Sequence, residues 1–239
     1  LGLSAFLDAN TERRELLLGQ RPPRFDSSFD EAIALTGDDF ERVALKAESA
    51  RDYFLLVGPP GTGKTSRALR RMVEHFYAAS SMQILLLAYT NRAVDEICQS
   101  LSSITPCIDY IRVGSELSCD VRFRGHLLEN ILAECNSRRE VNIRMADCRV
   151  YVGTVASIAA KAELFKLKRF DVAIVDEATQ ILEPQLLGIL CARGEDGKDA
   201  IDKFVLIGDH KQLPAVVQQN TEQSAIYDES LLSIGLTNL

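Results

Sequence analysis

The 239-residue sequence has no long apolar run, no initial methionine and no signal-peptide pattern. Its apolar stretches fall far short of the roughly eighteen residues that a membrane-spanning helix requires, so we expect no membrane partner. The missing methionine and leader favour a piece cut from a longer protein. No internal repeat or low-complexity tract is visible, so nothing indicates a repeat architecture.

Zinc-type cysteine patterns are also missing. Six cysteines occur, but no two form a C-x-x-C pair and no histidine stands at zinc-ligand spacing. The pattern favours reduced structural thiols in a cytoplasmic protein. A metal or iron–sulfur site is the alternative that the sequence leaves open.

Positive charge is not in excess, because the formal net charge is -7. This is weak evidence against a basic protein that coats nucleic acid. A protein that grips a strand in a groove needs local donors rather than a basic average, so nucleic acid stays open as a partner. Hydrophobic residues make up 46% and charged residues 26%, which is typical of a soluble globular protein with a sizeable core.

Apolar strands alternate with helical patterns from about residue 37 onward. Short apolar segments, many of them rich in β-branched residues, predict strands at 53–57, 83–88, 110–113, 150–152, 172–175 and 204–207. Nearly all-apolar strands must be covered on both faces. We therefore predict an α/β fold, with a mostly parallel sheet and helices on both of its faces.

Two segments depart from this alternation. In residues 1–36, Asn10 or Thr11 can cap a short helix that Gly19 ends, and a proline pair then breaks regular structure. We interpret 1–36 as a lead-in segment or the remnant of an upstream domain. Residues 115–148 have helical spacing and many charges, and we interpret them as a helical insertion within one domain spanning 37–239.

The strongest motif is a glycine-rich loop between a predicted strand and a predicted helix. Glycines let backbone N–H groups turn inward around phosphate oxygens, and the positive end of the following helix points at them. Lys64 should reach the β- and γ-phosphates, and the Thr65 hydroxyl should ligate Mg²⁺. The motif therefore predicts a P-loop that binds ATP with Mg²⁺, formed by Gly58, Pro59, Pro60, Gly61, Thr62, Gly63, Lys64 and Thr65.

An acidic pair, Asp176 and Glu177, directly follows the buried strand at 172–175. Ligands bind at the carboxyl edge of such sheets, where this pair must lie. Asp176 can hold the Mg²⁺ shell, and Glu177 can orient and deprotonate the attacking water. The structural alternative is an acid pair that favours a helix N-terminus.

A third polar turn ends the strand at 204–207 and continues to Pro214. Its residue Gln212 can both donate and accept hydrogen bonds. It could contact the γ-phosphate or the attacking water and transmit their state to a neighbouring surface. An ordinary surface turn is the alternative.

A fourth polar segment follows the strand at 83–88. Thr90 and Asn91 stand where short polar side chains cap a helix. Thr154, with Ser157, forms a similar pattern after the strand at 150–152. These residues could equally bond to the phosphates of a bound strand, and the residues alone favour the capping interpretation.

Together and in this order, these segments resemble the superfamily 1 helicases. The likeness is closest to the branch that holds the helicase of nonsense-mediated RNA decay and the nuclease-helicase that trims Okazaki fragments. It covers about residues 37–239. The segments that match helicase motifs are 58–65, 90–96, 153–154, the D-E-A-T-Q at 176–180, and 208–214.

The resemblance implies the first of two RecA-like motor domains. ATP would lie in the cleft between the two domains, and single-stranded DNA or RNA would run across both. Thr90, Asn91 and Thr154 would then contact the strand backbone. Because the sequence ends soon after 208–214, we expect the second motor domain with its arginine fingers to be absent, and the isolated chain to bind nucleotide but hydrolyse it poorly.

One position departs from the family pattern. Relatives carry a glutamine about eighteen residues before the first glycine of the loop, where it reads the adenine base, and Phe40 stands there in this chain. Phe40 could stack on a base but cannot make a paired hydrogen bond with it. ATP as the sole substrate is therefore an inference.

These observations favour a nucleic-acid-dependent ATPase of helicase type, which couples hydrolysis to translocation on a strand or to its unwinding. The first alternative is a P-loop ATPase that remodels protein partners without unwinding. The second is a non-catalytic nucleotide switch, which the intact Lys64, Thr65, Asp176, Glu177 and Gln212 disfavour. Stimulation of ATP hydrolysis by single strands would distinguish the helicase-type ATPase from the protein-remodelling ATPase.

Overall fold

The computed structural model describes residues 2–59, 61–79, 81–209 and 211, and within them one six-stranded sheet forms the centre of the fold. The strands are β1 (Tyr53–Val57), β2 (Ile84–Ala88), β3 (Tyr110–Val113), β4 (Val150–Thr154), β5 (Phe170–Val175) and β6 (Ile201–Gly208). All neighbouring strands are parallel, in the order β1-β6-β5-β2-β4-β3. The predicted α/β fold with a parallel sheet is confirmed.

Helices connect the strands and cover both faces of the sheet. Four α-helices precede β1: α1 (Gly2–Asp8), α2 (Thr11–Leu17), α3 (Asp30–Leu35) and α4 (Asp39–Ser49). The last of them, α4, leads into β1. Those that follow β1 are α5 (Arg70–Ala79), α6 (Asn91–Ser102), α7 (Leu128–Ala133), α8 (Arg138–Asp147), α9 (Val155–Ala160), α10 (Leu164–Leu167) and α11 (Glu183–Leu190).

The alternation of side chains along each strand divides the core into two clusters. In β2, Leu85 and Leu87 belong to the cluster beneath α9 and α11, whereas Ile84, Leu86 and Ala88 belong to the cluster beneath α4, α5 and α6. All five side chains have no exposed surface. A strand buried on both faces needs apolar residues at every position, which is why these strands have nearly continuous apolar sequences.

Strands β5 and β6 are longer than the sequence pattern predicts. They begin at Phe170 and Ile201 rather than at 172 and 204. In β6 the charged residue Lys203 is accommodated inside the sheet. Lys203 is 7% exposed, and its ammonium donates to the carbonyls of Ala47 and Glu48 at the end of α4, at 3.0 and 2.9 Å. The predicted strand starts at 204 because a lysine is uncommon inside a buried strand. Lys203 is tolerated there because its ammonium caps the end of α4.

Residues 2–36 lie outside the sheet, as expected, but pack onto it. Asn10 caps α2, and Leu16 and Leu17 join the apolar core. The buried Arg13 donates to Asp199 and to the Ile201 carbonyl at 2.7 Å, at the start of β6. The interpretation of these residues as an upstream remnant stays a prediction.

Helix α1 is not apparent from the sequence pattern and packs closely against α11. A Cβ atom on Gly2 would lie only 1.6 Å from the Pro184 carbonyl oxygen near the start of α11. The two backbones therefore approach at a distance that only glycine permits.

The segment 115–148 consists of helical turns at 116–118 and 121–126, followed by α7 and α8. It is anchored to α6 through Asp95, which pairs with the fully buried Arg112 of β3 and accepts a hydrogen bond from the Asp120 N–H. The helical spacing is therefore confirmed, and its interpretation as an accessory insertion stays a prediction. Among the described residues, no helix has the length and apolar character to cross a membrane.

Candidate nucleotide-binding site

The glycine-rich loop connects β1 to a helical segment that begins at Lys64. Gly61 and Gly63 have φ angles of 77° and 81°, in the left-handed region that favours glycine. The N–H groups of Arg67 and Ala68 both donate to the Gly63 carbonyl at 2.9 Å, so the first turn is widened to π-helical geometry from Lys64 to Leu69. Such widened turns are frequent at functional sites.

The Lys64 ammonium lies within this loop. It donates hydrogen bonds to the Gly58 carbonyl and to the Pro59 carbonyl, the latter at 2.7 Å. The Thr62 hydroxyl donates to the same Pro59 carbonyl at 2.8 Å. The loop thus holds a cation at its centre, and the contact of Lys64 with phosphate stays a prediction.

Asp176 leaves β5 at the carboxyl edge of the sheet and faces the loop. It is 2% exposed, and its Oδ2 accepts a hydrogen bond from the Thr65 hydroxyl at 2.5 Å. Burial raises the pKa of Asp176, and the Thr65 hydrogen bond opposes that rise. The two residues predicted as Mg²⁺ ligands, 111 positions apart in sequence, are therefore in direct contact.

Glu177 takes a left-handed backbone conformation, with a φ angle of 53°. Non-glycine residues pay a strain energy for this conformation, which commonly marks functional sites. Burial raises the pKa of the Glu177 carboxyl, and the charges of Asp176 and Glu96 raise it further. Among the described residues, no hydrogen-bond donor reaches its buried Oε2 atom.

These groups converge on one cavity of about 270 Å³. Strand β6 lies between β1 and β5 and contributes its end to the cavity wall. The lining residues are Gly61, Gly63, Lys64, Thr65, Ser66, Glu96, Asp176, Glu177, Thr179, Gly208 and Asp209. The structure thus brings Lys64, Thr65, Asp176 and Glu177 together as predicted.

The donor set of this cavity fits a triphosphate with a hard divalent cation. The Thr65 hydroxyl and the Asp176 carboxylate are oxygen ligands of the kind that Mg²⁺ prefers. The unpartnered Oε2 of Glu177 is a buried acceptor that a water molecule or a ligand group would satisfy.

Five residues of the cavity wall were not predicted as site residues, namely Ser66, Glu96, Thr179, Gly208 and Asp209, and two of these, Glu96 and Asp209, carry carboxylates. Glu96 belongs to α6, and only the packing of that helix beside the loop brings it to the nucleotide side. Asp209 is 6% exposed and accepts a hydrogen bond from the Lys211 N–H at 2.9 Å. Its position directly after an apolar strand, like that of Asp176, was the available signal.

The predicted strand contacts lie side by side at the same edge of the sheet. Ala88 pairs in register with Thr154, so the ends of β2 and β4 are adjacent. Thr90 is exposed and accepts a hydrogen bond from the Ala93 N–H at 3.1 Å, while Thr154 is 5% exposed and accepts from the Ser157 N–H at 3.0 Å. Both hydroxyls cap helices, as the residues alone indicated. The contact with a strand that the resemblance implied for these residues and Asn91 stays a prediction.

Phe40 lies near the start of α4, next to the helical segment that follows the loop. The guanidinium of Arg67 stacks over its ring at 4.1 Å from the ring centre. Two other predicted site residues, Pro60 and Gln212, lie outside the described residues.

The fold and the cavity together define a P-loop nucleotide-binding domain of RecA-like type. A family model described as "AAA domain" matches residues 36–147 and 136–220, and the chain belongs to this family. Its predicted membership of the superfamily 1 helicases, as a first motor domain, is confirmed by this match together with its curated relatives.

Those relatives carry the name DNA replication ATP-dependent helicase/nuclease. The Arabidopsis thaliana protein JHS1 is 32% identical over 226 residues, which are 90% of this chain and 16% of JHS1. The DNA2 proteins of Gallus gallus and Homo sapiens are 32% and 29% identical, over 76% and 91% of this chain and 17% and 21% of their own lengths. The chain thus spans about a fifth of the length of these relatives.

Two crystal structures of the UvsW helicase from bacteriophage T4 also resemble this chain. Both are 15% identical to it and cover 76% of it, with TM-scores of 0.47 and 0.49. The matched part makes up 59% of one UvsW chain and 34% of the other.

Proposed function

We propose that this chain is the ATP-binding first motor domain of a nucleic-acid-dependent ATPase that moves along or unwinds DNA. The observation that carries the proposal is the convergence of Lys64, Thr65, Asp176 and Glu177 on one cavity. This arrangement supplies a phosphate-binding loop, a metal site and a base within a single concave site. The resemblance to helicases supplies the nucleic acid as partner.

In this proposal, the glycine-rich loop binds the phosphates of ATP. Backbone N–H groups of Gly61 to Thr65 surround the β-phosphate oxygens, and the Lys64 ammonium exchanges its loop carbonyls for phosphate oxygens. Thr65 and Asp176 would hold Mg²⁺, which would neutralise the charge that develops on the transferred phosphoryl group. Thr65 and Asp176 already lie within hydrogen-bond distance, so little reorganisation is needed.

Glu177 is the proposed general base. Its buried Oε2 is free to accept a proton from the attacking water. Burial and the neighbouring negative charges raise its pKa toward the range in which a carboxylate accepts a proton most effectively at neutral pH. Glu177 lines the cavity, and its backbone is in the left-handed region.

The proposed strand site lies beside the nucleotide site, along the carboxyl edge of the sheet. Thr90 and Asn91 at the end of β2, and Thr154 at the end of β4, would bond to the phosphates of a single strand. We propose DNA rather than RNA because the relatives are named for DNA replication. We further propose that a second RecA-like domain of the same protein closes the nucleotide cleft and supplies arginine fingers.

The test is ATP hydrolysis by the full-length gene product, with and without single-stranded DNA and RNA. The Glu177→Gln variant, purified in the same way, is the control for ATP hydrolysis by a contaminating enzyme. Strong stimulation of ATP hydrolysis by DNA that is lost in the variant would support the proposal. Stronger stimulation by RNA than by DNA would make RNA the substrate strand. Hydrolysis that neither strand affects would favour an ATPase that remodels proteins, and would leave Thr90, Asn91 and Thr154 as helix caps alone.

A further inference from the structure

Glu96 is a carboxylate of α6 that lines the nucleotide cavity. The apolar stripe of α6 faces the core and consists of Ala93, Val94, Ile97, Cys98 and Leu101. Glu96 lies outside this stripe, on a helix that packs against the segment 64–69 following the glycine-rich loop. Its side chain is 58% exposed and borders the cavity together with Thr65.

A second cavity, of about 530 Å³, adjoins the nucleotide cavity between α6 and the turn at 121–126. The walls of the two cavities share Thr65, Ser66 and Glu96. Of these three residues, only Glu96 is charged. A negative charge therefore stands where the cavities meet, beside the threonine that is the proposed metal ligand.

The carboxylate of Glu96 is not committed to holding the fold together. Its ion pair with Arg92 joins two exposed side chains at 3.4 Å, and pairs of this kind contribute little to stability. The preceding residue, Asp95, is the contrast, because it pairs with the buried Arg112 and accepts from the Asp120 N–H. Asp95 thus anchors α6, whereas Glu96 is available to a ligand of the cavity.

A magnesium ion in this cavity would need acceptors for its water molecules. Mg²⁺ demands six oxygen ligands and usually keeps several waters beside one or two protein oxygens and the phosphates. A cation on Thr65 and Asp176 would border the wall that contains Glu96, because Thr65 belongs to that wall. The charge of Glu96 is also close enough to act on both Asp176 and Glu177.

We propose that Glu96 is a positioning residue of the metal site, whose carboxylate accepts hydrogen bonds from the water ligands of the Mg²⁺ that Thr65 and Asp176 hold. The inference rests on the proposed nucleotide site and deepens it. Groups that hydrogen-bond to metal ligands orient them, and losing such a group typically costs about 10- to 100-fold in metal affinity or activity. Glu96 thereby acts on the nucleotide through the metal and not by direct contact.

The experiment measures the affinity of the chain for ADP by calorimetry, once with saturating Mg²⁺ and once with EDTA. We expect Glu96→Ala to weaken binding of ADP with Mg²⁺ about tenfold. Without the metal, the same variant should bind ADP as well as wild type or better, because a negative charge near the phosphates has been removed. Glu96→Gln keeps an acceptor oxygen at the same place and should lose less affinity than Glu96→Ala.

Two matched controls separate this role from a structural one. Arg92→Ala removes the ion pair but leaves the carboxylate, and should change the affinity for ADP with Mg²⁺ less than about twofold. Glu129→Ala removes a carboxylate of similar exposure, 66%, that pairs with Lys161 at 3.1 Å on α7, and should change nothing. Thermal unfolding of each variant checks that the chain remains folded.

Four results would overturn the proposal while the nucleotide site stands. In folded Glu96→Ala, they are an unchanged affinity for ADP with Mg²⁺, or an equal loss with and without the metal. A loss in Arg92→Ala equal to that in Glu96→Ala would show that the ion pair positions α6 instead. A Glu96→Gln variant as weak as Glu96→Ala would show that accepting a hydrogen bond contributes nothing.

Failure of the proposed function would look different. The wild-type chain would then bind ADP neither with Mg²⁺ nor with EDTA, or Lys64→Ala would bind ADP with Mg²⁺ as tightly as wild type.

Discussion

Replacing Asp52 tests whether residues 2–36 are an integral part of the motor domain. Asp52 is 6% exposed at the start of β1, and its carboxylate accepts five hydrogen bonds from Arg21 and Arg24, at 2.7 to 3.0 Å. Asparagine has nearly the same shape but would place N–H groups against guanidinium N–H groups. The variant Asp52→Asn therefore removes the attachment without creating a cavity.

The burial of Asp52 sets how much the Asp52→Asn substitution should lower the free energy of unfolding. Removing one partner of a buried ion pair costs about 3–5 kcal/mol, and the lower end applies because Arg24 is 60% exposed and can be rehydrated. A loss of about 3 kcal/mol would lower the melting temperature of a domain of this size by roughly 6–12 °C. Asp109→Asn is the matched control, because Asp109 is 52% exposed, accepts two hydrogen bonds from Arg144, and should cost less than about 1 kcal/mol.

The effect should also depend on pH. Burial alone would raise the pKa of Asp52, but the hydrogen bonds from Arg21 and Arg24 outweigh it and lower the pKa. A carboxyl with a lowered pKa in the folded state stabilises the fold above its unfolded pKa of about 3.9, and this stabilisation is lost as the pH falls below that value. The difference between wild type and Asp52→Asn should therefore be constant from neutral pH to about pH 5 and shrink below about pH 4.

Urea unfolding followed by circular dichroism measures these free energies. Equal losses for Asp52→Asn and Asp109→Asn would refute the reasoning, since the buried attachment would then contribute no more than a surface pair. An unchanged difference between wild type and Asp52→Asn at about pH 3 would refute the assignment of the lowered pKa to Asp52.

Four further predictions concern the nucleotide and strand sites. Lys64→Ala should abolish detectable ATP binding in calorimetry, because the loop loses its only central cation among the described residues. Glu177→Gln in the full-length protein should bind ATP normally and lose hydrolysis, and normal phosphate release by this variant would exclude Glu177 as the base. Thr90→Asp keeps a good helix cap, but its negative charge repels the phosphates of a strand. The affinity for single-stranded DNA, measured by fluorescence anisotropy, should therefore fall at least about tenfold while the stability stays unchanged. An unchanged affinity would show that Thr90 acts only as a helix cap. The isolated chain should hydrolyse ATP at least about 10³-fold more slowly than the full-length protein on DNA, since arginine fingers contribute about 10³ to 10⁵ in rate, and comparable turnover would contradict this dependence.

Much of the nucleotide site could be predicted because its motifs are local. The glycine-rich loop that ends in Lys64 and Thr65 follows the apolar strand β1, and the acidic pair directly follows β5. In a parallel sheet the carboxyl ends of all strands lie at one edge. The positions of Lys64, Thr65, Asp176 and Glu177 therefore followed from pattern alone. The contact between Thr65 and Asp176 needed only that β1 and β5 belong to the same sheet.

Other features could not be predicted because they depend on contacts between distant parts of the chain. The order of the strands, with β6 between β1 and β5, depends on which apolar faces pack together, and all six strands have similar sequences. The buried Lys203 looked like a strand boundary because a sequence does not reveal the carbonyls at the end of α4 that accept its hydrogen bonds.

The α/β class, the phosphate-binding loop and the acidic pair could be predicted from local patterns, because periodicity and glycine spacing act over short distances. The contact of Arg67 with Phe40, the place of Glu96 in the cavity wall and the attachment of Arg21 and Arg24 to Asp52 depend instead on how the folded chain packs. Those pairs join residues from different helices, strands and loops, and their distances are set by how these elements pack. Packing is a property of the whole folded chain, and no local pattern encodes it.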